Sequence, residues 1–370
     1  MTYGEYPARR AVAERVHARF ARLIDGAGRP PDIEAIEALI DAGFWTSLRR
    51  EEGYVPMVSL ALVDSDQTPH PLRFAAPLRL SPAVLARVGP AVERPGIHLG
   101  VSPNGRDFVV WGATRVLPQF CLVLEVAAPG LLVVKQHRGG EQTKYANIAV
   151  LEADQVKIVD EKASSLPDCP PLVSSLLGFD APASWADSLN VLVQLAVSMR
   201  AHRRGGLLLL VPEKSDRWRE SIVSPISYEL SPPFPALADL LGRSTADRDR
   251  LWQDALDRAV DGIAGLTAVD GATIVTDRYD LLAFGAKIAR ARDAEPVEQA
   301  AVTEPIEGDR PEVVHPASFG GTRHLSAAQF VHDQRDAVAL VASQDGRFTV
   351  FAWSTCENMV HAHRIEVLLL

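Results

Sequence analysis

The sequence has little cysteine, no basic run and no long apolar segment. Its 370 residues include 3 cysteines, at positions 121, 169 and 356. An odd number so widely spaced fits neither a disulfide framework nor a paired-cysteine metal site, so we expect reduced structural thiols. The formal net charge is -9, which leaves no excess of lysine and arginine to neutralise a phosphate backbone. We therefore expect no nucleic-acid partner.

Apolar runs such as 207–211 and 367–370 are far shorter than the roughly 20 residues that span a bilayer, and the N-terminus has no signal-peptide pattern. These absences predict a cytoplasmic protein with no membrane partner. The sequence also has no GxxxxGK[ST] phosphate loop, GxGxxG, GxSxG or HExxH motif. The common nucleotide, hydrolase and metallopeptidase signatures are therefore absent, which narrows the range of functions to consider.

The first half begins with helical patterns and continues with strand patterns. Apolar residues recur at helical spacing from Val12 to Leu23 and from Ile33 to Ile40, which predicts two helices. Apolar runs bounded by Pro-Gly, Asn-Gly and Gly-Gly pairs predict strands after these helices. The predicted strands cover 57–63, 108–117, 120–126, 131–136 and 145–150. This pattern indicates a strand-rich α+β domain.

Four prolines punctuate residues 166–182, and an amphipathic helical pattern follows from about 184 to 203. A proline-rich stretch before a new periodic segment is typical of a domain boundary. We therefore predict two domains, 1–178 and 179–370.

The second half alternates helical and strand-like segments, which predicts an α/β fold with a mixed sheet flanked by helices. A helical pattern runs from Trp252 to Leu266, and a hairpin is expected around Asp345-Gly346. Residues 291–315 are acidic and contain proline, so we expect a mobile insertion there.

Three short motifs occur in this half: Asp270-Gly271-Ala272 between a helix and a strand, Gly321-Thr322-Arg323-His324 before a helix, and Ser343-Gln344 after a strand. Each alone is weak evidence, because Asp-Gly pairs are common in turns and Arg-His pairs are usual at solvated edges. Their order, with two strands between the first pair of motifs, resembles the diadenylate cyclase family across about residues 184–370. The motifs of that family are DGA, GTRHR and SE. The N-terminal part is similar to DACNV, a sensor domain that precedes some of these cyclases.

The resemblance implies condensation of two ATP molecules into cyclic di-AMP and pyrophosphate, with Mg²⁺ or Mn²⁺ as cofactor. It implies that Asp270, Arg323 and His324 are catalytic and that Asp270 and His324 bind the metal. Asp270 would position or deprotonate the ribose 3′-hydroxyl. The implied ATP-binding residues are Gly271, Ala272, Thr322, Arg323 and Ser343. Each site would hold one ATP, so catalysis would need a homo-oligomer built from two-fold pairs, with the N-terminal domain controlling their alignment.

Two positions depart from the family motifs. Leu325 stands where the family has a second arginine, and Gln344 stands where it has an acidic residue. The first removes a permanent positive charge from a site that binds phosphates. Two interpretations therefore stay open: an active nucleotidyltransferase, or a degenerate sensor that binds ATP or a cyclic dinucleotide without turnover. A third, a mere assembly platform, is disfavoured by the retained motif residues.

Overall fold

A computed structural model describes residues 9–26, 28–94, 96–139, 145–160, 191–244, 248–318 and 320–370. The chain divides into two compact units, 1–160 together with Leu370, and 161–369. The predicted boundary at 178/179 lies outside the described residues, as does the first part of the helix predicted over 184–203.

The N-terminal unit is an eight-stranded mixed sheet with helices. Its strands are β1 (Ser59–Leu62), β2 (Leu72–Arg79), β3 (His98–Asn104), β4 (Asp107–Thr114), β5 (Leu122–Ala128), β6 (Leu131–His137), β7 (Tyr145–Glu152) and β8 (Gln155–Ile158). Its helices are α1 (Arg9–Ile24), α2 (Ile33–Ser47) and α3 (Pro82–Val88). The strand order is β2-β4-β3-β1-β5-β6-β7-β8, with β1 and β3 parallel. The prediction of a strand-rich α+β domain is confirmed.

The apolar stripes of α1 and α2 pack on one face of this sheet. Val16 and Phe20 of α1 and Leu39 of α2 are fully buried, and they belong to the same core cluster as Leu60 and Leu124 of the sheet. Burial of such side chains contributes about 1.5–3 kcal/mol each. The helical spacing of apolar residues in the sequence thus identifies the face of each helix that packs against the sheet.

The second unit contains a nine-stranded mixed sheet. Its strands are β9 (Gly206–Val211), β10 (Tyr228–Phe234), β11 (Ala272–Thr276), β12 (Leu281–Ala286), β13 (Ala300–Thr303), β14 (Glu312–Val314), β15 (Val338–Ala342), β16 (Phe348–Ser354) and β17 (Met359–Arg364). Its helices are α4 (Val191–Ala201), α5 (Ala236–Leu241), α6 (Arg250–Leu266) and α7 (Thr322–Asp333). The strand order is β10-β12-β11-β9-β15-β16-β17-β13-β14. Strand β9 is parallel to β11, and β13 is parallel to β17.

Helices cover both faces of this sheet. Helices α4 and α6 share one core cluster with Leu208 and Val275, and α7 shares another with Leu209 and Ile274. Because both faces are covered, β9 is apolar at nearly every position and shows no alternation. The prediction of an α/β fold with a mixed sheet flanked by helices is confirmed.

The acidic segment 291–315 differs from our expectation of a mobile insertion. Strands β13 and β14 lie within it and pair with each other, and β13 extends the sheet by pairing with β17. Ala300 and Ala301 are fully buried there, whereas Glu312 of β14 is exposed. A short run of small apolar residues is therefore enough to pair with the sheet while the carboxylates stay in water.

No helix in the described ranges is long and apolar enough to cross a membrane.

Candidate functional site

The sheet of the second unit brings the distant motifs to one of its edges. Strands β9 and β11 start at this edge because they are parallel. The ends of β12 and β15 lie there too, since Ala286 pairs with Ala272 and Ala342 pairs with Gly206. The residues just beyond these strand ends include Asp270, Lys287 and Ser343. We call this region, together with Arg323 of α7, the Asp270 edge.

Asp270 is an exposed carboxylate bound by a lysine. Its Oδ2 lies 2.6 Å from Nζ of Lys287, and the same ammonium donates to the Asp270 carbonyl oxygen at 3.2 Å. The Asp270 side chain is 89% exposed. Lys287 lowers the pKa of Asp270, and the charge of Arg323 lowers it further. The carboxylate is therefore ionised and reachable from solvent at neutral pH.

Arg323 reaches the same edge from the first turn of α7. Its Nη1 lies against Gly205, where an added Cβ would be only 2.9 Å from this nitrogen and 3.4 Å from the carbonyl oxygen of Ala342. The guanidinium thus lies beside the start of β9 and the end of β15. Burial is the main cause of a lowered pKa of His202, and the charges of Arg204 and Arg323 lower it further.

Thr322 and Ser343 occupy the positions that the motifs predict. Thr322 is exposed and is the first residue of α7, whose N-cap, Gly321, offers no side-chain acceptor. The Gly321 carbonyl oxygen accepts from the N–H groups of His324 at 3.0 Å and Leu325 at 3.3 Å, so the N–H groups of this turn that precede these bonds are those of Thr322 and Arg323. Ser343 is half-buried and begins the β15–β16 turn, where its N–H donates to the carbonyl oxygen of Arg347 at 2.9 Å.

Gly271 and Ala272 have clear packing reasons for their small size. Gly271 has φ of +120°, and a Cβ there would lie 2.5 Å from the carbonyl carbon of Gly285. A side chain at Gly271 would therefore collide with the backbone of β12. Ala272 is fully buried, so its methyl group faces the core. Contact of either residue with ATP stays a prediction.

His324 lies in a different environment from Asp270. It is 4% exposed, and a hydrogen bond of 3.4 Å joins its Nε2 to Oγ1 of Thr349 on β16. Burial is the main cause of its lowered pKa, so the ring is neutral at pH 7. Of the two predicted metal ligands, the exposed Asp270 offers a hard carboxylate oxygen, which suits Mg²⁺ or Mn²⁺ with phosphate and water as further ligands. No group of three His, Cys, Asp or Glu residues that could hold a metal occurs among the described residues.

The two departures from the family motifs have defined surroundings. Leu325 is half-buried and packs against the core cluster between α7 and the sheet. Gln344 is exposed, and its Nε2 donates to the carbonyl oxygen of Arg204 at 3.4 Å. Leu325 thus adds apolar packing where the family has a cation.

Sequence reasoning missed Lys287 and His202. The Nε2 of His202 lies 3.1 Å from Oγ1 of Thr267, and its Nδ1 accepts a hydrogen bond from the Arg204 N–H. No motif contains either residue. The position of Lys287 beside Asp270 can be inferred only when the pairing of Ala272 with Ala286 is known.

The N-terminal sheet contains a second polar group, the His98 cluster, formed by Ser59, His98 and Tyr145. Nδ1 of His98 lies 2.8 Å from the Ser59 hydroxyl, and its Nε2 lies 2.9 Å from the Tyr145 hydroxyl. His98 is 1% exposed. Burial lowers its pKa to about 4. The His98 ring is therefore neutral and shielded from solvent, with Ser59 and Tyr145 half-buried beside it.

The N-terminal unit also has a cleft of about 630 Å³ between the start of α2 and the β3–β4 turn. Arg29, Asp32, Arg106 and Phe108 are among its lining residues. Its lining therefore combines charges of both signs with an aromatic ring.

Comparisons with known proteins identify the N-terminal region. Residues 26–115 match the family described as "Probable sensor domain DACNV", and every lining residue of the cleft falls inside this range. The predicted resemblance to DACNV is thus confirmed. No curated protein matches the sequence. The N-terminal region is therefore similar to this sensor-domain family over residues 26–115, and the α/β unit that follows carries the motifs described above.

Two solved structures align with about half of the chain. A hypothetical membrane spanning protein from Bacillus cereus is 14% identical with a TM-score of 0.27, and the alignment covers 48% of this chain and 63% of that one. A double mutant of DacA from Staphylococcus aureus is 15% identical with a TM-score of 0.24, and the coverage is 46% and 83%. This chain thus spans less than two thirds of the Bacillus cereus protein. TM-scores below 0.5 do not establish a common fold.

Proposed function

We propose that this protein is a diadenylate cyclase that condenses two ATP molecules into cyclic di-AMP, under the control of its N-terminal sensor domain. One observation carries the proposal. Asp270, Arg323 and Ser343, which are far apart in sequence, gather at one sheet edge, and the carboxylate there is exposed and ionised.

The proposed roles follow from the chemistry of these groups. Asp270 orients the ribose 3′-hydroxyl and accepts its proton, which requires an ionised carboxylate. Arg323 and the N–H groups at the start of α7 bind phosphate oxygens. A divalent cation, when bound to Asp270, would neutralise phosphate charge. His324 is buried, so we assign it the role of positioning α7 against β16 through Thr349.

The reaction balances only with two nucleotides. Each 3′-oxygen forms a bond to the α-phosphorus of the other ATP, and each bond to pyrophosphate breaks with its electron pair leaving on the pyrophosphate. Two 3′-hydroxyl protons are released. Because one Asp270 edge holds one ATP, we propose that two copies of the chain face each other across a two-fold axis.

Product analysis tests the proposal. Purified protein is incubated with ATP and either Mg²⁺ or Mn²⁺, and the products are separated by chromatography with mass detection. We expect cyclic di-AMP and pyrophosphate from the wild type and none above background from Asp270→Asn. Intact ATP in the presence of measurable ATP binding would contradict catalysis.

That outcome would favour the second candidate function, a nucleotide sensor without turnover. Leu325 supports this alternative, since it packs in the core and provides no phosphate-binding charge. Loss of one electrostatic contact to a reacting group costs on the order of 10²–10³ in rate. ATP binding, by contrast, would persist on Arg323 and the N–H groups at the start of α7.

A further inference from the structure

We infer that Lys287 is a phosphate-binding residue of the Asp270 edge, where its ammonium bridges the Asp270 carboxylate and a phosphate oxygen of the nucleotide. The inference rests on the proposed function, because it names a further contact of the same site. It assigns a role to a residue that lies in none of the three motifs.

The first support is the position of the ammonium. Nζ of Lys287 contacts two oxygens of one residue, Oδ2 of Asp270 at 2.6 Å and the Asp270 carbonyl at 3.2 Å. An ammonium has three N–H donors. Asp270 takes two of them, so the third can be donated to an anion while the contact with Asp270 is kept.

The second support is a fixed backbone with an accessible tip. The carbonyl oxygen of Lys287 accepts from the Val223 N–H at 2.8 Å, and the residues on either side, Ala286 and Ile288, pair with Ala272 and Ile222. The Lys287 side chain is nevertheless 53% exposed. A side chain on a backbone that is held at both neighbours loses less freedom when it binds a ligand.

The third support is the local charge. The family motif has a second arginine at the position of Leu325, and this side chain instead packs in the core. Leu325 therefore provides no charge for a phosphate, whereas Lys287 places an ammonium at the Asp270 carboxylate. A lysine ammonium binds phosphate as a point charge and needs no bidentate geometry.

The test compares ATP affinity in four proteins by isothermal titration calorimetry at several salt concentrations. These are the wild type, Lys287→Met, Lys287→Arg and Lys214→Met. The last removes the same charge from an exposed lysine just beyond the end of β9, at the opposite edge of the sheet. We expect Lys287→Met to weaken ATP binding about tenfold or more, the size of one charge-assisted hydrogen bond. Lys287→Arg should restore most of the affinity, and Lys214→Met should bind ATP as the wild type does.

Salt dependence separates a charge contact from a structural effect. If Lys287 contacts phosphate, Lys287→Met will lose affinity less steeply than the wild type as salt rises, because one screened contact is gone. Equal affinity and equal salt dependence in Lys287→Met and the wild type would overturn the inference and leave the proposed function standing. Lys287-dependent binding without cyclic di-AMP would keep the inference and reject catalysis. A wild type that binds no ATP would reject both.

Discussion

The Asp270 edge and the His98 cluster both combine ionisable side chains at short distances, but their environments are opposite. The Asp270–Lys287 pair is charged and open to water, whereas His98 is buried, neutral and bonded at both ring nitrogens. Groups that are exposed and ionised can exchange partners with a ligand, whereas buried neutral groups that already have partners stabilise the fold. Short distances alone therefore do not distinguish a binding site from a structural network.

The strongest effect is expected from a substitution of Asp270, the exposed carboxylate of this pair of sites. Asp270→Asn should lower cyclic di-AMP formation by about 10²–10⁴-fold, because the amide cannot accept the 3′-hydroxyl proton. The melting temperature should not change, since the side chain is exposed. Product chromatography and thermal unfolding measure the two effects.

Asp254→Asn is the matched control for this prediction. Asp254 is an exposed carboxylate on α6, so its loss changes net charge equally without touching the Asp270 edge. If both variants lose activity to the same degree, the role assigned to Asp270 is wrong.

The next prediction is that His98 makes the free energy of unfolding depend on pH. Its pKa in the folded protein is about 4, against 6.5 when unfolded. The unfolded chain therefore binds more protons than the folded chain between these two pH values. The contribution of His98 to the free energy of unfolding is thus fully present above pH 6.5 and is lost as the pH falls toward 4. The difference between the two pKa values corresponds to roughly 3 kcal/mol in the free energy of unfolding.

Denaturant unfolding of the wild type and His98→Asn at pH 7.5 and pH 4.5 measures this contribution. The variant should show a weaker loss of stability on acidification than the wild type. The surrounding charges act on the same titration: Glu125 raises the pKa of His98, while His137 and Lys135 lower it. Equal pH dependence in both proteins would show that His98 is not protected from protonation.

Gly271→Ala tests whether the Asp270 edge also has a structural requirement. The added Cβ would meet the Gly285 backbone at 2.5 Å in a conformation with φ of +120°. We expect a loss of about 2 kcal/mol or more in the free energy of unfolding. Gly262→Ala is the control, because Gly262 lies within α6 with open space around it. This control should gain up to about 1 kcal/mol.

Periodicity and motif order predicted most of the elements and the residues of the Asp270 edge. The buried strand β9 (Gly206–Val211) and the amphipathic helix α6 are each continuous in sequence, so their patterns can be recognised from the sequence alone. Lys287 was not predictable because its contact with Asp270 depends on the β11–β12 register. Strand β13 was missed because four residues in an acidic segment give too short a pattern. A contact that depends on strand pairing and a short strand in a charged segment are thus both difficult to predict from sequence.

A weaker effect is expected from the loss of one hydrogen bond in the His98 cluster. Tyr145→Phe removes the hydroxyl that lies 2.9 Å from Nε2 of His98 and leaves the buried ring nitrogen without this partner. The free energy of unfolding should fall by about 1 kcal/mol, as measured by denaturant unfolding. Tyr54→Phe removes a hydroxyl from a tyrosine that is 78% exposed and should leave stability unchanged. Equal stability of the two variants would mean that the hydrogen bond between Tyr145 and His98 does not contribute, and the His98 cluster would then have to be regarded as packing alone.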